Sequence, residues 1–152
     1  MLKKMAVIFV SLLILPNIAS SEETFSVSGE ISIVDKGNIH VGIYTQEDWS
    51  NIKDDKTPSP PYFQIINLTP EQIKTEKVPF EFQDMKKGTY CIRVFQDVNQ
   101  NGKIDRKLMG TATEPFGYYR SPEVWPSWND MKFEVDKDIE DIEIQMIEAT
   151  SW

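Results

Sequence analysis

Thr89-Tyr-Cys-Ile-Arg-Val-Phe95 puts Tyr90, Ile92 and Val94 on one side of an extended chain and Cys91, Arg93 and Phe95 on the other. Alternation with period two among β-branched and aromatic residues is the pattern of a strand. Directly after it comes Asp97-Val-Asn-Gln-Asn-Gly-Lys-Ile-Asp105, in which every second residue carries a side-chain oxygen for three steps before a glycine. A stiff strand delivering a ligand-rich loop points to a β domain with its chemistry in a turn.

The same period recurs in the flanking sequence. Phe25, Val27, Ile31 and Ile33 share a parity, and Gly29 on that parity marks a bulge or a close backbone contact. Asp35-Lys-Gly-Asn38 reads as a hairpin turn into Ile39-His-Val-Gly-Ile-Tyr44, whose Ile39, Val41 and Ile43 face one way and whose His40 faces outward. Residues 46–60 read as a loop, with a short helical turn at Glu47-Asp-Trp-Ser-Asn51. A strand follows over 62–68, and Thr69-Pro-Glu-Gln72 is suited to start a brief helix. Val78, Phe80 and Phe82 form another inward face, and Met85-Lys-Lys-Gly88 turns the chain. Beyond the loop, 108–114 reads as a short strand or irregular segment, and strands over 131–135 and 139–147 complete the set. About seven short strands without a long helix predict an all-β fold, an antiparallel β-sandwich, in one domain spanning 22–152.

Residues 1–21 are read separately. Lys3 and Lys4 precede an apolar run over 5–15, then small and polar residues to Ser21, which is the grammar of a secretory signal. The apolar run is shorter than the roughly 20 residues that span a bilayer. A periplasmic or secreted protein is expected, without membrane insertion once the leader is removed. The formal charge is −8; without Lys3 and Lys4, 14 basic residues face 24 acidic ones, a net −10. That balance argues against nucleic acid and anionic lipid as partners, since both are bound through Lys and Arg. Cys91 is the single cysteine, so no internal disulfide forms, and its place in the strand predicts a small buried side chain.

The loop favours a hard cation. Asp97, Asn99, Asn101 and Asp105 offer side-chain oxygens, Lys103 a backbone carbonyl, and Gly102 the turn, so Ca²⁺ is the expected ion, in a structural role. Glu114 is the candidate to return and complete the shell. Zn²⁺ is disfavoured without a His/Cys cluster, and Mg²⁺ prefers to keep its waters. The pattern departs from an EF-hand: its twelfth position is Leu108 where a bidentate Glu belongs. The expected affinity is modest, roughly 10⁻⁴–10⁻³ M. An Asx-rich turn with no metal is the alternative, because these residues also build ordinary turns. A second feature is the concentration of rings over 116–128, where Tyr118, Tyr119, Trp125 and Trp128 are candidate ligand-binding residues for a carbohydrate or protein partner. A satellite core is the alternative reading.

From residue 80 to 147 the chain resembles the DUF2141 family of bacterial exported domains of unknown function. The resemblance lies in Gly88-Thr-Tyr90, the run Phe95-Gln-Asp-Val-Asn-Gln-Asn-Gly-Lys-Ile-Asp105, Gly110, Glu114-Pro-Phe-Gly117 and Trp128-Asn-Asp-Met-Lys-Phe133. Cys91, Val98 and Tyr118-Tyr119-Arg120 depart from the family pattern. The resemblance implies a sandwich of immunoglobulin or transthyretin type and supplies no activity, because the family is uncharacterised. No nucleophile elbow accompanies the lone His40. The expected function is therefore a non-enzymatic module with a calcium-braced loop, the alternative being a carbohydrate-binding domain.

Overall fold

A computed structural model describes residues 22–51, 60–107, 110–120 and 126–148. The stretch over 1–21 read as a leader, the middle of the loop between Asn51 and Pro60, Leu108 and Trp125 lie outside the described residues.

Eight strands form two sheets. The first has the order β4 (Lys77–Lys86), β1 (Thr24–Ser32), β8 (Ile139–Gln145). The second runs β3 (Tyr62–Ile66), β2 (Asn38–Tyr44), β5 (Gly88–Asp97), β6 (Phe116–Tyr118), with β7 (Phe133–Val135) also paired to β5. The alternating residues singled out above meet between the sheets. Val27 and Ile31 of β1, Val78, Phe80 and Phe82 of β4, and Ile142 and Ile144 of β8 pack with Ile39, Val41, Ile43, Ile92 and Val94. Burying each such aliphatic side chain contributes about 1.5–3 kcal/mol, so this shared core holds the layers together. Among the described residues no helix is long and apolar enough to cross a membrane.

Three expectations are corrected. The sandwich is mixed rather than wholly antiparallel, because β8 runs parallel to β1. Alternation is identical in parallel and antiparallel strands, and β8 follows β1 at a sequence distance that leaves ample chain for a crossover. Asp35-Lys-Gly-Asn38 is not a hairpin turn: β1 and β2 belong to different sheets. The buried amide of Gln96 fixes this crossing, its Oε1 accepting from Asp35 N at 3.1 Å and its Nε2 donating to Asp35 O. Among the described residues there are eight strands where about seven were expected: the strand over 131–135 is present as β7, and the addition is β6, only three residues long.

Local signals held elsewhere. Thr69 caps α2 (Pro70–Thr75), accepting from Gln72 N at 3.2 Å while Gln72 Oε1 accepts from Thr69 N at 2.9 Å. The turn after Thr45 is a short helix, α1 (Gln46–Asn51). Gly29 is a close contact: it pairs with Ile142, and a Cβ there would collide with the Ile142 carbonyl.

Candidate functional site

Asp97 is the last residue of β5 and pairs with Asn38 of β2, so the first loop ligand stands on the sheet itself. It is 2 % exposed. Its Oδ1 accepts from Asn101 N at 3.0 Å and its Oδ2 from Gly102 N at 2.7 Å, which curls the loop around the carboxylate. Gly102 has φ 81°, and a Cβ there would meet nothing within 4 Å. The glycine is thus required by backbone conformation rather than by space.

Asn99 Oδ1 accepts from Asn101 N at 3.1 Å, and Asn101 Oδ1 from Lys103 N at 3.0 Å. The two amide heads converge on one atom: Asn99 Nδ2 and Asn101 Nδ2 lie 2.6 and 2.9 Å from Asp105 Oδ2. Asn99, Asn101 and Asp105 are therefore brought together. Lys103 is exposed and joins the loop through its backbone N–H.

Glu114 does return to the loop. Lys107 N donates to Thr111 O and Thr113 N to Asp105 O, each at 2.8 Å, and Gln96 N donates to Pro115 O at 2.9 Å. These bonds fold the chain back beside the end of β5. Only 4 % exposed, Glu114 places Oε1 2.9 Å from Val98 N and 3.5 Å from Asn99 N, and Oε2 3.1 Å from Asp105 N. Its carboxylate staples the start of the loop to its end. Among the described residues no three His, Cys, Asp or Glu side chains form a group able to hold a metal ion. Any cation here takes its remaining donors from the asparagines and the backbone, as hard cations readily do.

His40 is a residue whose place sequence reasoning missed. It faces away from the core as its parity requires, yet it is only 4 % exposed. Its ring stacks on Phe95 with centroids 4.4 Å apart, tilts against Phe63 at 5.7 Å, and holds Nε2 3.5 Å from Asp97 Oδ2. The apolar residues Phe63 and Phe95 at matching outward positions were the available signal. Burial lowers the His40 pKa below its usual 6.5, although Asp97 and Glu114 pull it upward. The unfolded chain therefore takes up the proton first as pH falls. The stability contributed by neutral His40 is complete above pH 6.5 and is lost as pH drops through the folded value. Wild type should lose more melting temperature than His40→Gln between about pH 7.5 and about pH 5. Parallel thermal melts of the two proteins check this, and equal slopes would refute it.

The candidate ring residues separate. Tyr118 and Trp128 pack with Trp49 around buried Tyr44, Cys91 and Met131 on the outer side of the second sheet. Tyr119 points the other way, against Phe133 at 5.3 Å and the main core. Trp128 opens a four-residue helix, α3 (Trp128–Met131), that sequence reasoning missed; Ser127 and Asp130 cap it.

Residues 31–143 match the DUF2141 family, described as an uncharacterized protein conserved in bacteria. The chain belongs to the DUF2141 family. In this DUF2141 protein the match extends well before residue 80, taking in β2 to β4 and most of β8. No curated protein and no solved structure matches the chain.

Proposed function

We propose that this DUF2141 protein is an exported, non-enzymatic β-sandwich module of immunoglobulin or transthyretin type, whose 97–105 loop is braced by a structural Ca²⁺ ion. One observation supports the reading: the amide heads of Asn99 and Asn101 stand 2.6 and 2.9 Å from Asp105 Oδ2, which gathers three side chains of the loop that Asp97 begins. Asp97, Asn99, Asn101 and Asp105 would hold the ion with the Lys103 carbonyl. Glu114 serves the loop through backbone N–H groups. Export rests on the leader-like pattern of 1–21. The module's partner is a protein or a glycan. The glycan reading takes second place, because Tyr118 and Trp128 are drawn into one cluster while Tyr119 faces the core.

The test is thermal unfolding with added Ca²⁺. Binding to the folded state alone raises stability by RT ln(1 + [L]/Kd), about 2.7 kcal/mol at a hundredfold excess over Kd. Wild type should show a saturable rise in Tm with Ca²⁺, larger than with Mg²⁺, and Asp105→Asn should abolish most of it. A wild-type Tm indifferent to Ca²⁺ would remove the ion and leave a metal-free Asx loop.

A further inference from the structure

Arg93 stands in the middle of the second sheet, with Gly42 of β2 opposite on one side and Tyr118 of β6 on the other. It belongs to the outer parity, with Cys91 and Phe95, and is 8 % exposed. Its Nε and Nη2 are both buried without a hydrogen-bond partner. An always-charged guanidinium with orphaned buried donors is costly, and native proteins rarely leave such groups unmatched. These two nitrogens form one side of the guanidinium fork, the side that meets both oxygens of a carboxylate through parallel N–H bonds.

Among the described residues no carboxylate is hydrogen-bonded to this side of the guanidinium. The Tyr44 ring leans over Gly42 beside the guanidinium. Trp49 meets Tyr118 edge-on at 5.8 Å. Burial pushes the Tyr44 and Tyr118 phenols upward and the Cys91 thiol up to about 12, so all three are neutral at pH 7. The carboxylate on α1, Asp48, is engaged by Thr45 instead, its Oδ2 accepting from Thr45 N at 3.0 Å and Thr45 Oγ1 at 2.7 Å. What results is a positive fork closed off by rings on the outer side of the sheet, which part to admit a ligand.

We propose that Arg93 is the recognition residue of a second site, which takes a small molecule bearing a carboxylate on a flat, apolar body. The carboxylate pairs side-on with Nε and Nη2, and the body lies against Tyr44, Trp49 and Tyr118. A carboxylate fits the planar two-donor fork, and ring edges and faces accommodate an aromatic body. The site is separate from the cation loop and does not depend on it.

Benzoate titrated into the full chain is the probe. The chain contains three arginines, Arg93, Arg106 and Arg120, so ¹⁵N-edited spectra of the arginine Nε–H groups resolve them readily. The expected result is a saturable downfield shift of the Arg93 Nε–H alone, with quenching or enhancement of tryptophan fluorescence over the same range. Arg93→Lys keeps the charge but loses the fork and should weaken benzoate binding by about tenfold or more. Arg93→Met should abolish binding and melt at or above wild type without ligand, since an apolar replacement removes an unpaired buried charge. Three outcomes would overturn the proposal. One is an Arg93 Nε–H already hydrogen-bonded in the ligand-free protein and unmoved by benzoate. Another is a response to inorganic phosphate but not to benzoate. The third is unchanged benzoate affinity in Arg93→Lys.

Discussion

Glu114→Ala should destabilise the domain by about 2–3 kcal/mol, through two part-buried N–H groups left without their acceptor, each at the lower end of roughly 1–3 kcal/mol. The groups are Val98 N–H, 2.9 Å from Oε1, and Asp105 N–H, 3.1 Å from Oε2; the 3.5 Å contact to Asn99 N adds little. The residue is nearly inaccessible, so water cannot easily replace the carboxylate. Glu114→Gln should fall between the two, because an amide keeps one acceptor but turns a donor toward the second N–H. Urea titration reads the effect as a lower midpoint with an unchanged slope. A Glu114→Ala midpoint within about 0.5 kcal/mol of wild type would show that the staple contributes no more than an ordinary surface residue. The experiment is run without added Ca²⁺, so it stands independently of the cation.

Gly29→Ala is expected to have the other large effect, about 3 kcal/mol or more, as severe overpacking against backbone. Its added carbon would collide with the Ile142 carbonyl oxygen and stand 2.7 Å from both the carbonyl carbon and Cβ of Ile142. Side chains can turn aside, whereas a strand backbone held in a ladder cannot. Relief requires β8 to separate from β1 at Gly29–Ile142, which withdraws Ile142 and Ile144 from the core. Hydrogen exchange should show protection lost first along β8, while the β2–β5 amides remain protected as long as the fold survives. A variant with wild-type Tm and intact β8 protection would mean that this contact is slack.

Which parts of this structure were legible beforehand follows from the range of the forces involved. The inward faces of β1, β2 and β4 were readable because alternation reports local burial. The Thr69–Gln72 cap was readable because both partners lie within one turn. α3 escaped because four residues are too few for helical periodicity to show, although its capping pair Ser127 and Asp130 was present. His40 was misjudged because one buried face was assumed per strand. In fact β2 and β5 are covered on both sides, inside by the other sheet and outside by Phe63, Phe95 and the Tyr44–Met131 cluster. Parallel pairing of β8 could not be read at all, since nothing local distinguishes the two directions.

The loop that follows β5 divides in the same way. The sequence alone determined which residues supply its oxygens, that Gly102 makes its turn, and that a strand anchors Asp97. Oxygen spacing and backbone permissiveness are properties of nine consecutive residues. Spacing along the chain does not fix that Glu114 places both oxygens on loop N–H groups, that His40 stands behind Asp97, or that Arg93 Nε and Nη2 are enclosed without a partner. Each of those depends on which strands become neighbours, and that is set by the packing of two sheets around one core.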